Sequence, residues 1–223
     1  MPSSQPPNTR APLSRDRVLD AALVIADQDG LAAVSMRRVA QALGVEAMSL
    51  YNHVANKQDL LAGLIEQVVG QITPPRPEHN WQDEMRIRAR TSHAVLMAHP
   101  WAAQLIVANA QPGPVMLTYV EKTLACLAAA GFSPQLADHA WNAMDSYIYG
   151  FTLQRINFPF EPEDYAAAAA ENMDMIPAAI FPNLRALAKL VANRQHDGLH
   201  NLDFGFDLLL AGLEQRRLSE QNQ

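Results

Sequence analysis

Eight residues between positions 37 and 57 have side chains suited to contacts with nucleic acid. They combine two cations with small, hydroxyl, amide, imidazole and aromatic groups: Arg37, Ala47, Met48, Ser49, Tyr51, Asn52, His53 and Lys57. An arginine can donate two hydrogen bonds to a guanine edge, and small, amide and hydroxyl side chains can meet other base edges in the major groove. A helix that faces only solvent would carry more Lys and Glu. The set therefore predicts contact with DNA, provided that the fold presents it on one surface.

The residues around this set predict two short helices joined by a tight turn. Gly44 can adopt the positive φ that ends one helix and redirects the chain. Ser35 and Asn56 are suitable N-caps for the first helix and for the helix that follows the motif. Apolar residues with helical spacing on both sides of the turn would share one small core: Val39, Ala40, Leu43, Val45, Leu50 and Val54. The pattern indicates a helix-turn-helix, although spacing alone also allows a plain helical hairpin.

Residues 14 to 72 resemble the N-terminal DNA-binding domain of the tetracycline-repressor (TetR) family. The segment LGVEAMSLYNHVANKQDLL carries the resemblance through the turn, the recognition helix and the start of the next helix. The resemblance implies four helices, at about 14 to 30, 35 to 43, 46 to 53 and 57 to 72.

The resemblance also implies a role for each of the eight residues. Asn52 departs from the family pattern, because relatives often carry a large aromatic side chain there, so its contact with DNA is less defined than the others. The family pattern implies that Arg37 contacts a base and that His53 and Lys57 contact phosphates. It implies that four residues face the major groove: Ala47, Met48, Ser49 and Tyr51.

The overall charge is the one property that argues against DNA binding. The chain of 223 residues carries a formal net charge of −6, whereas DNA-binding domains are commonly basic. The distribution of charge favours DNA nonetheless, because Asp20, Asp27 and Asp29 lie on the first predicted helix while Arg37 and Lys57 flank the turn. We expect modest non-specific affinity, with a dimer doubling the contacts.

Composition places the protein in the cytoplasm. No apolar run approaches the roughly 20 residues that span a bilayer, and the N-terminus has no apolar signal-peptide core, so no membrane contact is expected. The single cysteine, Cys126, lies in the apolar run LACLAAAG, which favours an inert buried thiol.

Proline-rich segments divide the chain into three parts. Residues 1 to 13 are rich in Pro and Ser and predict a disordered arm, in which Arg10 could reach a minor groove but is better read as part of a solvated tail. Residues 14 to 72 form the predicted DNA-binding domain, and residues 73 to 223 a second helical domain. Helices of the second domain are predicted at about 81 to 99, 101 to 109, 115 to 130, 134 to 156, 164 to 176, 180 to 193 and 201 to 217. The expected fold is all-α, with an N-terminal three-helix helix-turn-helix domain and a C-terminal helical ligand-binding and dimerisation domain.

Two helices of the second domain carry apolar stripes that a small monomer would not easily bury. By resemblance, the helices at 134 to 156 and 201 to 217 would pair with their copies in a homodimer. The alternative is that both stripes are core within one chain. The stripes consist of Leu136, Ala140, Met144, Tyr147 and Phe151 in the first helix and Leu202, Phe206, Leu209, Leu210 and Leu213 in the second.

The second domain more weakly resembles the ligand-binding domain of the tetracycline repressors themselves, through NWQDEMR at 80 to 86 and AGFS at 130 to 133. In those proteins a His and a Glu help to hold the metal of a metal–tetracycline complex. The corresponding positions here are Ile106 and Gln154, neither of which can replace those ligands. Tetracycline sensing is therefore disfavoured.

Helix faces and this loose alignment nominate a ligand pocket for a small, largely apolar or aromatic effector. The alternative is that Met and Trp at helical spacing are ordinary core, and that Arg88 and Asp145 pair with each other. No histidine pair has the spacing of a metal site, and neither a metal nor a cofactor is expected. The candidate wall residues are Arg88, Ser92, Met97, Thr123, Trp141, Met144, Asp145 and Gln154.

These expectations combine into a ligand-responsive transcriptional regulator. A homodimer would bind a palindromic operator in double-stranded DNA, and the effector would release it. A helical protein-binding adaptor without specific DNA recognition is the alternative. An enzyme is not expected, because the sequence contains no Gly-rich phosphate loop, nucleophile elbow, HExxH or CxxC motif.

Overall fold

A computed structural model describes residues 12–108, 112–158, 160–196, 198 and 201–222. Within these ranges the chain is helical, which confirms the predicted all-α class. Residues 1–11, which make up most of the predicted arm and include Arg10, lie outside the described residues, as does Asn109. The described residues form eleven α-helices, in this order: α1 Arg15–Asp29, α2 Met36–Leu43, α3 Ala47–Leu50, α4 Lys57–Val69, α5 Trp81–Ala98, α6 Ala102–Ala108, α7 Pro114–Ala129, α8 Pro134–Ile156, α9 Pro162–Glu171, α10 Pro182–Ala192 and α11 Leu202–Gln221.

The boundaries of the first helices follow from their caps. The side-chain oxygens of Ser14, Ser35 and Asn56 accept hydrogen bonds from the backbone N–H groups three residues further on, at 3.3, 3.3 and 2.9 Å. Each bond satisfies an N–H group that has no partner within its own helix. Gly44 ends α2 in the left-handed conformation, with φ of 65°. The predicted caps and the predicted turn are thus all present.

Helices α1 to α4 enclose one apolar core, with Val39, Leu50 and Leu60 almost fully buried in it. The crossing of α1 over α4 is close, because a Cβ at Gly63 would lie 2.5 Å from a methyl group of Leu19. Leu50 anchors the short α3 in this core and α3 lies against α2, which leaves the remaining face of α3 to solvent.

The recognition helix is shorter than predicted. It is α-helical only over Ala47–Leu50, instead of from 46 to 53. The N–H groups of Tyr51, Asn52 and His53 bond to carbonyls three residues back rather than four, which tightens the chain into turns. Helix α4 likewise ends at Val69 rather than at 72, and α9 ends at Glu171 before a 3₁₀ turn at Met173–Met175.

The larger core of the second domain lies between α5, α7, α8 and α11. Tyr147 of α8 donates a hydrogen bond to the carbonyl of Leu202 at 3.0 Å, and a Cβ at Gly205 would lie 2.5 Å from the Tyr147 hydroxyl. Salt bridges from Arg86 and Arg90 of α5 to Asp207 and Asp203, at 2.7 and 2.9 Å, hold α11 from the other side.

The apolar stripes that were expected to form a dimer interface are therefore core within one chain. Leu136, Ala140 and Met144 of α8 share a cluster with Phe206 and Leu210 of α11. Leu202 belongs to the same cluster, and the remaining members of both stripes are partly buried and pack against it: Tyr147, Phe151, Leu209 and Leu213. Helices α8 and α11 bury these faces against each other, which was the alternative left open by the sequence.

Over the described residues, no helix has both the length and the apolar character needed to cross a bilayer.

Candidate DNA-binding surface and effector cavity

The turn and α3 present a polar and aromatic surface to solvent. Met48 and Tyr51 are 76% and 46% exposed, although both are large and partly apolar. Such exposure is costly unless a partner covers the surface, as the edges of bases and the thymine methyl group would. Of the other predicted contacts, Arg37, Asn52 and Lys57 are exposed, while Ala47, Ser49 and His53 are half-buried.

Ala47 is placed differently from the other seven residues. Its side chain packs against the core of the first domain, so it belongs in part to the scaffold.

An ion pair beneath α3 holds the end of the recognition segment in place. Arg15 of α1 bonds to both carboxylate oxygens of Asp59 at 2.6 and 3.0 Å, and also donates to the carbonyl of His53 at 2.9 Å. Asp59 Oδ2, which accepts one of the Arg15 bonds, also accepts the backbone N–H of Ala55 at 2.8 Å. The Arg15 guanidinium lowers the pKa of Asp59 below its ordinary value, so the carboxylate is charged at neutral pH. The pairing of Arg15 with Asp59 was not predicted from the sequence, because the two residues are 44 positions apart.

The cations of this surface differ in their availability. Arg38 pairs with Asp29 of α1. By contrast, Arg37 and Lys57 form no ion pair with the residues that the structure describes. An exposed cation without an acidic partner is free to neutralise a phosphate. The negative net charge of the chain therefore argues less strongly against DNA binding at the surface that contains Arg37 and Lys57.

The second domain contains a cavity of about 670 Å³ between α6, α7 and α8. This volume lies within the range of ligand pockets in proteins, roughly 300 to 1,000 Å³. One wall is apolar, and α8 supplies most of the polar groups on the other. The lining residues are Ile106, Val107, Pro112, Met116, Leu117, Tyr119, Val120, Trp141, Asn142, Asp145, Ser146 and Tyr149.

Behind the polar wall lies a fully buried arginine. Arg88 of α5 pairs with Asp145, and its guanidinium carbon stands 5.1 Å from the centre of the Tyr119 ring. Burial by itself would lower the pKa of Arg88, but Tyr119 and Asp145 raise it overall, so the guanidinium is charged. Its Nε and Nη1 atoms are buried without an acceptor among the described residues, and so is Nε1 of Trp141. Burial also raises the pKa of Tyr149, which keeps that phenol neutral.

Only part of the predicted pocket set lines this cavity. Trp141 and Asp145 do so, and Arg88 and Ser92 lie directly behind it, with Ser92 Oγ at 3.3 Å from the Tyr119 hydroxyl. The other four residues do not line the cavity. Thr123 is buried and bonds to the carbonyl of Tyr119 within its own helix, Met144 belongs to the large core, Met97 is half-buried outside the wall, and Gln154 is exposed.

Several wall residues were missed in the sequence. On α8, Asn142, Ser146 and Tyr149 continue the face of Trp141 and Asp145 at helical spacing, so that face could have been extended. The apolar wall from α7 gave no such signal. Met116 and Val120 differ in no way, as sequence, from ordinary core residues.

Two further expectations concern reactive groups. Burial raises the pKa of the Cys126 thiol to about 11, which leaves it protonated and unreactive. Across the ranges that the structure describes, no three His, Cys, Asp or Glu side chains are grouped closely enough to hold a metal ion.

The DNA-binding surface and the cavity are joined through α4. Its residues Ile65, Val68 and Val69 share a core with Ala103 and Ile106 of α6. A polar contact reinforces the junction, since Asp27 of α1 accepts hydrogen bonds from Nδ1 of His99 at 2.8 Å and Nε1 of Trp101 at 2.7 Å. The helix that begins at Lys57 therefore ends against the helices that enclose the cavity.

Comparisons with known proteins agree with this division of surfaces. Residues 18–64 match the family described as bacterial regulatory proteins, tetR family, and residues 73–217 match the tetracyclin repressor-like C-terminal domain. The class E tetracycline repressor of Escherichia coli is 31% identical over 208 residues, which cover 90% of this chain and 93% of that protein. A transcriptional regulator from Saccharopolyspora erythraea is 35% identical over 143 residues, and this match spans 64% of the chain and 61% of the relative.

Solved structures show the same likeness. Apo ActR from Streptomyces coelicolor superposes with a TM-score of 0.80 at 28% identity, covering 95% of this chain and all of that one. ActR has also been solved with actinorhodin bound, and this complex gives a TM-score of 0.74. The chain belongs to the TetR family of bacterial transcriptional regulators and is a ligand-responsive, DNA-binding repressor rather than an enzyme.

Proposed function

We propose that the chain binds a palindromic operator as a homodimer and that a small effector in the α6–α7–α8 cavity lowers its operator affinity. The observation that carries this proposal is the position of α4, whose N-terminus adjoins the recognition segment and whose C-terminal half packs against α6. A ligand that favours one arrangement of these helices shifts the population of DNA-binding conformations.

At the operator, the residues divide by the chemistry of their contacts. Arg37 reads a base edge, and Met48, Ser49 and Tyr51 face the major groove, with Ala47 allowing close approach. His53 and Lys57 hold phosphates, and Asn52 makes a van der Waals or phosphate contact. The exposure of Met48 and Tyr51 supports this assignment. Replacing Tyr51 by Ala is expected to weaken operator binding without dissociating the dimer.

The cavity suits a flat, largely apolar or aromatic molecule with oxygen acceptors at one edge. Ile106, Met116 and Val120 offer apolar contact. The unpartnered N–H groups of Trp141 and Arg88 each carry a desolvation penalty that an acceptor oxygen would relieve, given a small shift of the side chains. The neutral phenol of Tyr149 is a further donor.

Tetracycline itself is disfavoured as the effector. Ile106 lies in the cavity wall where the resemblance places a metal-ligating His, and Gln154, at the position of the Glu, is exposed. Neither residue can hold the metal of a metal–tetracycline complex. ActR, at 28% identity, binds actinorhodin, so aromatic compounds of that kind head the list to be tried.

The dimer is proposed to form through the outer face of α11. Phe204 and Leu208 are 69% and 63% exposed and lie one helical turn apart. Phe206 and Leu210 on the inner face are buried in the core shared with α8, so it is the outer face of α11 that a second copy can cover. A dimer also matches the two-fold symmetry of an operator. We place the regulator in the cytoplasm, where its operator DNA lies, without a membrane partner.

Two measurements test the proposal. A gel-shift assay with DNA from upstream of the chain's own gene should show specific retention that weakens with salt. A thermal-shift screen of hydroxylated aromatic compounds should then yield ligands that raise the unfolding temperature and release that DNA. Retention no stronger than that of random DNA would favour a protein-binding adaptor instead.

A further inference from the structure

A carboxylate on α4 caps the first turn of the helix that forms the apolar wall of the cavity. Glu66 Oε2 accepts the backbone N–H of Val115 at 2.7 Å, and Oε1 accepts that of Met116 at 3.1 Å. Helix α7 has no capping bond from its own N-cap side chain, because that residue is Gly113. The free N–H groups and the positive end of the helix dipole both favour a negative group there. One helix thus supplies the cap of another.

Gly113 makes room for this contact. A Cβ at residue 113 would lie 2.5 Å from the carboxyl carbon of Glu66 and 2.6 and 2.8 Å from its oxygens. The backbone does not require glycine here, because the φ of −82° is open to every residue type. The absence of a side chain is therefore explained by the space that the carboxylate occupies.

The capped turn is also part of the cavity. Met116 donates its N–H to Glu66, and the same residue lines the cavity wall, followed by Leu117 and Val120. The other contacts between α4 and this domain include the apolar side chains of Ile65, Val68 and Val69. Apolar contacts are non-directional and allow sliding, whereas two hydrogen bonds to successive N–H groups fix the position of α4 relative to α7.

We propose that Glu66 is the positioning residue that transmits occupancy of the cavity to the DNA-binding domain. A molecule that moves the first turn of α7 moves the Glu66 carboxylate with it, and hence α4. This inference rests on the proposed function, because it needs both an operator and an effector cavity. It adds a specific route for the coupling between cavity and operator, which runs from the first turn of α7 through its hydrogen bonds with the Glu66 carboxylate to α4.

The test uses operator affinity and needs no effector. In Gly113→Ala the new methyl group forces the first turn of α7 away from Glu66, and we expect operator Kd to rise at least five-fold. In the Glu66→Ala background the carboxylate that the methyl group would meet is gone, and the same substitution should change Kd less than two-fold. Gln58→Ala, at an exposed position of α4, is the control and should leave Kd unchanged. If Glu66 only stabilised the fold, its replacement would change the unfolding temperature but would not produce this pattern in operator Kd.

A second perturbation starts from the cavity. Val120→Trp adds bulk to the wall, and its effect on operator Kd should shrink at least three-fold when Glu66 is replaced by Ala. Should Gly113→Ala fail to fold, Glu66→Asp takes its place, because a carboxylate shortened by one methylene cannot reach both N–H groups.

The outcomes separate the two proposals. If wild-type protein binds the upstream DNA specifically, either of two results overturns the role of Glu66 and leaves the regulator intact. In the first, Gly113→Ala (or Glu66→Asp in its place) leaves operator Kd unchanged. In the second, Gly113→Ala changes Kd equally in both backgrounds. Wild-type protein that retains no DNA specifically overturns the proposed function, and the coupling with it.

Discussion

At the scale of single residues, the Arg15–Asp59 pair shows how the recognition segment is held. The pair connects α1, the carbonyl of His53 and the start of α4 in one network. Its side chains are 43% and 31% exposed, so solvent screens the attraction and the network contributes only modestly to folding. Its value is geometric, because it fixes where Tyr51 and His53 are presented.

Replacing Asp59 by Asn is expected to cost about 1 kcal/mol at neutral pH, a value that already allows for screening. Because Arg15 lowers the pKa of Asp59 from the ordinary 3.8, the stabilisation is present above that pH and is lost as pH falls through the lower folded value. Urea denaturation of both proteins across pH 2 to 7 should show the difference closing at the acid end. Glu121→Gln, at an exposed site on α7, should show no such trend. A difference that persists to the lowest pH would contradict the assignment.

Lys57 offers a second prediction at this scale. Its exposed ammonium begins α4 without an ion pair among the described residues, so it should neutralise one phosphate. Lys57→Ala should weaken operator binding and reduce the slope of log K against log salt by about 0.9 per subunit, or about 1.8 for the proposed homodimer. The measurement is a salt titration by gel shift or fluorescence anisotropy. Lys189→Ala, on the distant α10, should leave the slope unchanged, and an unaltered slope in Lys57→Ala would mean that the residue does not contact DNA.

At the scale of elements, the turn between α2 and α3 depends on one backbone conformation. Gly44 has φ of 65° and ψ of 40°, and its N–H closes the end of α2 on the carbonyls of Ala40 and Gln41. Gly44→Ala should destabilise the domain by about 1 kcal/mol, because a Cβ disfavours the left-handed region. Chemical denaturation measures the change. Gln41→Ala, on the exposed side of α2, serves as the control and should be neutral. Equal stability of the Gly44 variant and wild type would show that the turn tolerates a side chain.

The elements also show what the sequence could and could not predict. Ser14, Ser35, Asn56 and Gly44 act locally, so their caps and turn were predictable from residue type and spacing alone. The length of α3 was not, because the change from α-helix to turns after Leu50 depends on packing against α1 and α2.

The pocket illustrates the same limit. Helix α8 carries large side chains on more than one face, and the position of its neighbours decides which face meets a cavity. Trp141 and Asp145 were assigned to the side that lines it, whereas Met144, three residues from Trp141, packs into the large core. Contacts such as Glu66 with Met116 join residues 50 positions apart and leave no local trace.

At the scale of the whole molecule, α11 has two apolar sides, of which one is buried and the other is exposed. Phe206 and Leu210 fill the core between α8 and α5, while Phe204 and Leu208 face outward. Large apolar side chains that recur one turn apart on an exposed helix are typical of a surface that another chain covers. A two-fold axis beside α11 would bring the outer face of α11 against its own copy.

Leu208→Glu is therefore expected to dissociate the proposed dimer, because a charge buried at a two-fold interface faces its like-charged copy without a partner. Sedimentation equilibrium should show a monomer of about half the mass of the wild-type species, and specific retention of a palindromic operator should fall by at least ten-fold, since one half-site alone supplies fewer contacts. The monomer should still fold and show an unfolding transition, because Leu208 is not part of the domain core. Val24→Glu introduces the same charge at another exposed apolar position, on α1, and should leave the mass unchanged. If Leu208→Glu sedimented as the wild type does, the dimer would have to form through another surface, and the exposed leucines of α10 at positions 184, 187 and 190 would be the next to test.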